Sequence, residues 1–209
     1  MKKQRVTVLG STGSVGVSTL DVMARHPERF EVFALTASTK VDDMLAQCAR
    51  YRPRYAVMAD AQANVELAQK IKANGLLTKV LTAQDAIETV ASHDEVDAVM
   101  AAIVGAAGLA PCMAAARAGK RLLLANKEAL VVGGDLFLDA VKEGGATLLP
   151  IDSEHSAVFQ SLPDDRSVWA HSVQKIILTA SGGPFPARDP ATFGDITPAP
   201  AVAHPTWTM

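Results

Sequence analysis

The sequence has no long apolar run and no block of basic residues. Residues 1–5 lead directly into an apolar segment, which leaves no space for a signal-peptide core, and no run approaches the roughly 18 apolar residues of a membrane helix. Its 20 basic and 22 acidic side chains give a net charge of −2, without the basic patch that nucleic acid or an acidic membrane would need. We therefore expect a cytoplasmic protein with no nucleic-acid and no membrane partner.

Cysteine is also scarce. The only two cysteines, Cys48 and Cys112, have no CxxC spacing and no neighbouring histidine. This pattern predicts small buried side chains in a reducing compartment rather than a disulfide, a metal site or a nucleophile. The length of 209 residues suits one large domain, or one domain and half of a second. A share of 49% hydrophobic side chains is enough for a sizeable core.

Three glycines, Gly10, Gly13 and Gly16, follow the first apolar run at the spacing G-x-x-G-x-x-G. The run before them is typical of a strand, and the residues over 15–25 predict a helix. Glycine lets the backbone approach a ligand closely, and a helix N-terminus attracts phosphate. The turn therefore predicts dinucleotide binding, with a turn that serves packing alone as the alternative.

Strand and helix patterns alternate after this turn, which predicts an α/β fold with a Rossmann-like, doubly wound parallel sheet in residues 1–150. The further predicted strands are 31–36, 54–58, 79–81, 97–104, 121–125 and 147–151, and the further helices are 42–50, 61–74, 84–92, 109–118 and 135–143. Residues 151–209 are expected to begin a second, α+β catalytic domain. We expect in it a helix at 157–161, a strand at 173–180 and a proline-rich, flexible lid loop at 182–209.

The second predicted strand ends without an acidic residue. NAD-preferring sites place an Asp or Glu there to bind the ribose hydroxyl, whereas this chain has Ser38, Thr39 and Lys40, with no acid before Asp42. Two hydroxyls and an ammonium suit a 2′-phosphate and favour NADP over NAD. A solvated lysine at the start of the next helix is the alternative for Lys40.

Two later strands deliver polar residues at their carboxyl ends, where ligands of open parallel sheets collect. These are Asn126, Lys127 and Glu128 after one strand, and Asp152, Ser153, Glu154 and His155 after the other. Residues i and i+2 share one side of a strand, so Asp152 and Glu154 could bind a hard cation such as Mg²⁺ or Mn²⁺. Helix capping explains both segments as well, and we assign no catalytic role to His155.

The motifs along the chain, in this order and spacing, resemble the 1-deoxy-D-xylulose 5-phosphate reductoisomerase family over essentially the whole sequence. They are GSTGSVG at 10–16, VGAAG at 104–108, LANKE at 124–128, IDSEH at 151–155, SGGPF at 181–185 and HP at 204–205. The resemblance implies an NADPH- and divalent-metal-dependent oxidoreductase of non-mevalonate isoprenoid biosynthesis. Such an enzyme rearranges the phosphorylated ketose 1-deoxy-D-xylulose 5-phosphate and reduces the product to 2-C-methyl-D-erythritol 4-phosphate. A homodimer is expected from the family alone.

The resemblance also assigns residues by motif match. NADPH would be held by Gly10, Thr12, Gly13, Ser14, Val15, Asn126 and Glu128, together with the Ser38, Thr39 and Lys40 already noted. Lys127, Asp152 and Glu154 would be catalytic, the last two as metal ligands, and the substrate would contact Lys127, Ser153, Glu154, Ser181 and His204. After the second strand the family commonly shows Gly-Lys-Asn, so the lysine of this chain is shifted by one position.

Two other functions are consistent with the residues. Another NADP-linked reductase, such as a semialdehyde dehydrogenase, would need a nucleophilic cysteine, and a non-catalytic NADP-binding module would need no metal. We also expect that these 209 residues do not sustain turnover alone, because two carboxylates are few for a catalytic hard-metal site. The resemblance implies a further glutamate ligand beyond residue 209.

Overall fold

The structure is a computed structural model that describes residues 2–179 and 183–203. Its backbone contacts divide the chain into two compact units, Met1–Asp152 and Ser153–Met209. The domain boundary expected at residue 150 stays a prediction. Each unit is described by itself below.

The first unit is built on seven parallel strands. They are β1 Gln4–Leu9, β2 Phe30–Ala37, β3 Tyr55–Met58, β4 Lys79–Val80, β5 Ala98–Ala101, β6 Arg121–Leu124 and β7 Thr147–Pro150. Their order in the sheet is β4-β3-β2-β1-β5-β6-β7, with every neighbouring pair parallel. The Rossmann-like fold class is thereby confirmed. The chain reverses its direction across the sheet between β1 and β5, and ligands of such sheets bind outside the strand ends at this point.

Six helices connect the strands: α1 Ser14–Arg25, α2 Val41–Tyr51, α3 Ala61–Ala73, α4 Ala86–Ser92, α5 Leu109–Arg117 and α6 Lys127–Glu143. Two apolar cores form because successive strand residues face opposite sides of the sheet. One core contains Val8, Leu20, Leu35, Met44 and Leu67, and the other contains Leu9, Phe33, Val90, Val99 and Phe137. Helices on both faces therefore hold the strand ends, and the loops after them, in fixed positions.

Helix α6 differs from the sequence prediction, which began this helix at residue 135. It starts at Lys127, and Gly134 within it has non-helical torsions of φ 48° and ψ −132°. The glycine pair at 133–134 lowers helix propensity and so hid the first segment from sequence reasoning. The structure has helix on both sides of a kink at Gly134. This places Lys127 in a first helical turn.

The second unit contains α7 Ser153–Ser161, α8 Trp169–Ser172 and α9 Pro198–Ala201. Helix α7 begins before the predicted residue 157. The strand predicted at 173–180 is wrong for residues 173–179, which have no regular structure and expose Ile176, Ile177 and Leu178. A strand needs a neighbour to satisfy its backbone groups, and the described residues of this unit form no other strand. The expected loop also contains α9 and a 3-10 turn at Pro190–Asp195.

No helix in the described part of the chain is long and apolar enough to cross a membrane.

Candidate cofactor and metal site

The turn after β1 requires glycine at two positions for steric reasons. Gly10 has φ +78°, and a Cβ built on it would lie 2.7 Å from the carbonyl oxygen of Ala102. A Cβ on Gly16 would lie 2.4 Å from the carbonyl oxygen of Gly10. The first of these approaches brings the end of β1 against the segment that follows β5. The glycine turn thus lies at the point where ligands of this fold bind.

Helix α1 begins directly behind this turn with its amides available. Gly13 is its N-cap residue, no side chain caps it, and its first turn carries no acidic residue. The amides of a first helical turn have no partner within the helix, and the helix dipole makes their surroundings positive. Gly13 and Ser14 are exposed, and Thr12 and Val15 are half-buried. This arrangement is suited to a phosphate group.

The three polar residues after β2 are exposed and close to the first turn of α2. Ser38, Thr39 and Lys40 are all exposed, and the Lys40 ammonium lies 4.0 Å from Asp43 Oδ2. Contacts of this length between exposed groups contribute little to stability and leave the lysine able to move. No acidic residue lies at the end of β2. The carboxylate with which NAD-preferring sites bind the ribose hydroxyl is therefore missing at this position.

Asn126 is buried and fully engaged with the protein. Its Oδ1 accepts a hydrogen bond from the Ala129 amide at 2.9 Å, which caps α6. Its Nδ2 donates to the carbonyl of Gly105 at 2.9 Å and also to the carbonyl of Ile103. One side chain therefore ties the segment after β5 to the junction between β6 and α6. The helix cap considered from sequence is present, and the predicted cofactor contact of Asn126 stays a prediction.

Lys127 and Asp152 come together across the ends of β6 and β7. The Lys127 Nζ lies 3.4 Å from Asp152 Oδ2, and Lys127 is the more exposed of the two. Glu128 is half-buried in the first turn of α6, where its charge complements the helix dipole. A cation and a carboxylate at neighbouring strand ends form a polar site at the edge where the glycine turn also lies.

The strand geometry proposed for Asp152 and Glu154 is wrong. Strand β7 ends at Pro150, and Ser153 and Glu154 belong to the first turn of α7. Ser153 Oγ donates to Glu154 Oε2 at 2.8 Å. The described residues contain no group of three or more His, Cys, Asp or Glu side chains arranged to hold a metal. The roles of Asp152 and Glu154 as metal ligands stay a prediction.

A cavity of about 480 Å³ lies beside Glu154 in the second unit. Its lining includes Val158, Gln174, Lys175 and Ile177. The lining also contains the hydroxyls of Ser161, Ser172 and Thr179, and this mixture of polar and apolar side chains can bind a polar small molecule. Ser181 and His204, the other predicted substrate residues, lie outside the described residues.

Both cysteines are buried thiols. Burial raises the pKa of Cys48 to about 11 and the pKa of Cys112 to about 12. A thiol with such a pKa is almost entirely protonated at neutral pH and is a poor nucleophile. The expectation that neither cysteine has a chemical role agrees with this environment.

Sequence reasoning missed Gln47, whose side chain contacts the glycine turn. Ser11 Oγ donates to Gln47 Oε1 at 2.7 Å, and Gln47 Nε2 donates to the Ser11 carbonyl at 2.9 Å. The two residues are 36 positions apart, and a glutamine within an amphipathic helix carries no signal of such a contact.

Two family models match the chain. The model described as 1-deoxy-D-xylulose 5-phosphate reductoisomerase matches residues 6–134, and the model of its C-terminal domain matches residues 148–209. A protein named 1-deoxy-D-xylulose 5-phosphate reductoisomerase from Aromatoleum aromaticum is 59% identical over 208 residues, which are 99% of this chain and 52% of that protein. The protein of the same name from Cupriavidus metallidurans is 57% identical over 206 residues, which are 99% of this chain and 53% of that protein.

Solved structures agree with these matches. The enzyme from Zymomonas mobilis in complex with NADPH superposes with a TM-score of 0.87 and 44% identity, covering 98% of this chain and 52% of that one. A DOX-P reductoisomerase in complex with NADPH, fosmidomycin and magnesium gives a TM-score of 0.84 and 42% identity, covering 99% of this chain and 52% of that one. The chain spans about half the length of the curated relatives it matches.

Proposed function

We propose that the chain carries the NADPH site and part of the metal and substrate site of a 1-deoxy-D-xylulose 5-phosphate reductoisomerase, because it belongs to that family. The reaction is the NADPH- and metal-dependent rearrangement and reduction of 1-deoxy-D-xylulose 5-phosphate to 2-C-methyl-D-erythritol 4-phosphate. One observation carries the proposal most directly: helix α1 begins uncapped behind a turn that sterically requires glycine at positions 10 and 16.

The turn residues would hold the cofactor diphosphate. Thr12, Gly13, Ser14 and Val15 lie at the positive end of α1, where first-turn amides stabilise an anion without any positively charged side chain. Glycine at position 10 brings this turn against the end of β5, so the rest of a dinucleotide would extend along the strand ends. The Zymomonas mobilis relative was solved with NADPH, which supports this placement.

Ser38, Thr39 and Lys40 would hold the 2′-phosphate. All three are exposed at the end of β2, and the weak 4.0 Å contact with Asp43 leaves the Lys40 ammonium able to turn toward a phosphate. The hydroxyls would donate hydrogen bonds, and Lys40 would supply the charge. NADH has no 2′-phosphate, so it would gain nothing from these groups.

The residues at 152–154 fit a hard divalent cation. Their donor atoms are carboxylate and hydroxyl oxygens, the ligands that Mg²⁺ and Mn²⁺ prefer. The Lys127 ammonium, 3.4 Å from Asp152 Oδ2 and largely exposed, would turn away from that oxygen when a metal binds. Asp152 and Glu154 would hold the metal, which when bound polarises substrate oxygens as a Lewis acid. Lys127 would place its ammonium beside the same substrate atoms and stabilise negative charge that develops on them.

The remaining substrate contacts belong to the second unit. Glu154 lines the cavity of about 480 Å³ there together with Lys175, whose ammonium suits a phosphorylated sugar. Ser153, Ser181 and His204 would contact the sugar and its phosphate, as the family motifs imply. A cytoplasmic location and a homodimer complete the proposal, and light scattering coupled to size-exclusion chromatography tests the dimer.

The two alternatives have less support. A reductase with a nucleophilic cysteine would need a thiol of lowered pKa, whereas burial raises the pKa of both Cys48 and Cys112. A non-catalytic NADP-binding module would need neither a metal ligand nor a substrate contact from Lys127 and Asp152, which lie 3.4 Å apart at adjacent strand ends. The contact can form without catalysis, so a binding experiment must decide.

The experiment is a titration of the purified chain with NADPH, followed by cofactor fluorescence, and a calorimetric titration with Mn²⁺ and 1-deoxy-D-xylulose 5-phosphate. We expect NADPH to bind, and the sugar phosphate to bind more tightly when Mn²⁺ is present. Binding of NADPH without any metal-dependent binding of the sugar phosphate, both in this chain and in a protein extended to the length of its relatives, would favour the non-catalytic module. Absence of NADPH binding would refute the proposed cofactor site.

A further inference from the structure

Gln47 and Ser11 form a closed pair of hydrogen bonds between helix α2 and the glycine turn. The Ser11 hydroxyl donates to Gln47 Oε1 at 2.7 Å, and the Gln47 amide donates back to the Ser11 carbonyl at 2.9 Å. Ser11 is fully buried, and Gln47 is half-buried. Both polar groups of the glutamine head are therefore used on one residue of the turn.

Strand β2 holds the same turn from its own side. The amide of Gly10 donates to Thr36 Oγ1 at 3.1 Å, and the amide of Ser11 donates to the Thr36 carbonyl at 2.8 Å. The amides of residues 10 and 11 thus donate to the protein, while Gly13 and Ser14 are exposed and Thr12 and Val15 are half-buried. The turn has a held side, formed by Gly10 and Ser11, and a side open to ligand.

Helix α2 connects this held side to the predicted 2′-phosphate residues. Lys40 is the N-cap residue of α2, and Gln47 lies two turns further on, about 10 Å along the same rigid helix. Met44 and Cys48 of this helix are fully buried in the core of the first unit, so α2 cannot slide without disrupting that packing. The Gln47 contact therefore fixes the distance between the glycine turn and Lys40.

We propose that Gln47 is a positioning residue for the dinucleotide: it sets the glycine turn relative to α2 and touches no cofactor atom itself. This inference rests on the proposed function. A glutamine suits the position because a single head group both donates and accepts. Glutamate could accept from the Ser11 hydroxyl but would face the Ser11 carbonyl with a second acceptor, and leucine would leave both groups of Ser11 without this partner.

The test compares Gln47→Leu with Thr78→Val in the purified chain. Thr78 is buried, and its hydroxyl donates to the Pro53 carbonyl at 2.8 Å, so its loss also removes a buried bond to a backbone carbonyl. Thr78 lies just before β4, away from the strand ends that carry the turn, and its side chain also contacts Cys48 of α2, so Thr78→Val disturbs the packing of α2 without touching the turn. The dissociation constants for NADPH and NADH are measured by fluorescence, and the melting temperature of each variant is recorded, so that binding is measured on folded protein.

We expect Gln47→Leu to weaken NADPH binding by about tenfold and NADH binding by less, because only NADPH has phosphates at both the glycine turn and Lys40. Thr78→Val should lower the melting temperature and leave both constants within about twofold. Unchanged dissociation constants in folded Gln47→Leu, with a lowered melting temperature, would mean that the contact only stabilises the fold and would overturn the inference. If the unaltered chain binds neither cofactor, the proposed function fails first, and the inference fails with it.

The milder substitution Ser11→Ala keeps the result interpretable if Gln47→Leu does not fold. It removes only the hydroxyl bond and retains the donation from Gln47 to the carbonyl of residue 11. We expect a smaller but measurable loss of NADPH affinity, and unchanged affinity in folded Ser11→Ala would contradict the inference. Where Gln47→Leu folds, the double variant should bind NADPH no more weakly than Gln47→Leu alone. Full additivity of the two losses would mean that Gln47 does not act through Ser11, which also contradicts the inference.

Discussion

The side chain of Asn126 occupies the space that any side chain at position 108 would need. A Cβ built on Gly108 would lie 2.1 Å from Asn126 Nδ2 and 2.9 Å from the carbonyl oxygen of Ile103. Gly108 itself has ordinary right-handed torsions, so it is needed for space and not for backbone freedom. Asn126 can join the segment after β5 to the start of α6 only because residue 108 has no side chain.

Substituting Gly108 should therefore destabilise the first unit. Gly108→Ala forces the Asn126 amide away from its two carbonyl partners, and we expect a loss of about 1–3 kcal/mol in the free energy of unfolding. Urea denaturation measures it. Gly194→Ala is the matched control, because a Cβ at 194 meets nothing within 4 Å. Equal stability of the two variants would show that the segment after β5 moves to accommodate the added methyl group at little energetic cost.

Lys40 should determine the preference for NADPH. We expect the chain to bind NADPH at least about tenfold more tightly than NADH, a difference of about 1.4 kcal/mol. Lys40→Ala should remove most of this preference by weakening NADPH alone, since NADH carries no 2′-phosphate. Fluorescence titrations with both cofactors measure this, and Lys142→Ala in the last turn of α6 removes an equal charge elsewhere. An unchanged preference in Lys40→Ala would assign the 2′-phosphate to other groups.

Asp152 should bind metal without affecting the cofactor. We expect Asp152→Asn to weaken Mn²⁺ binding by at least about tenfold, because it replaces a charged oxygen ligand with a neutral amide. NADPH affinity should stay nearly constant. The loss of the contact with the exposed Lys127 should cost less than about 1 kcal/mol of stability.

Calorimetric titration with Mn²⁺ measures the effect, and Asp139→Asn on the exposed side of α6 provides the same change of charge as a control. If both variants bind Mn²⁺ as the unaltered chain does, Asp152 is no metal ligand. In that case its contact with Lys127 serves the structure and not a metal site.

The cysteines should react slowly with alkylating agents while the chain is folded. The pKa of Cys48 is raised to about 11 and that of Cys112 to about 12 by burial, so both thiols stay protonated at pH 8. Iodoacetamide should label neither thiol at that pH and both in urea, as mass spectrometry can measure. A raised folded pKa contributes stability that is complete below the unfolded value near 9.0 and is lost as the pH rises toward 11. Rapid labelling of folded Cys112 would support the alternative function, a reductase with a nucleophilic cysteine.

The sequence alone determined the parallel sheet and the glycine turn. Both follow from local chemistry: apolar runs of strand length between amphipathic helices, and glycines where the backbone turns closely. The same local rules placed Asn126, Lys127 and Asp152 at strand ends, where the structure has them. They also explain why the cysteines were expected to be inert.

Only the tertiary structure decided which of these residues meet. The contacts of Gln47 with Ser11, and of Asn126 with Gly105, join positions 36 and 21 residues apart, and no local pattern encodes them. The strand expected at 173–180 fails over 173–179 for the complementary reason: its apolar residues favour a strand, but the described second unit offers no neighbouring strand. Glu154 likewise lies in a helix, because β7 ends at Pro150. Side-chain propensity is a property of a segment, whereas a hydrogen-bonding partner is supplied by the rest of the fold.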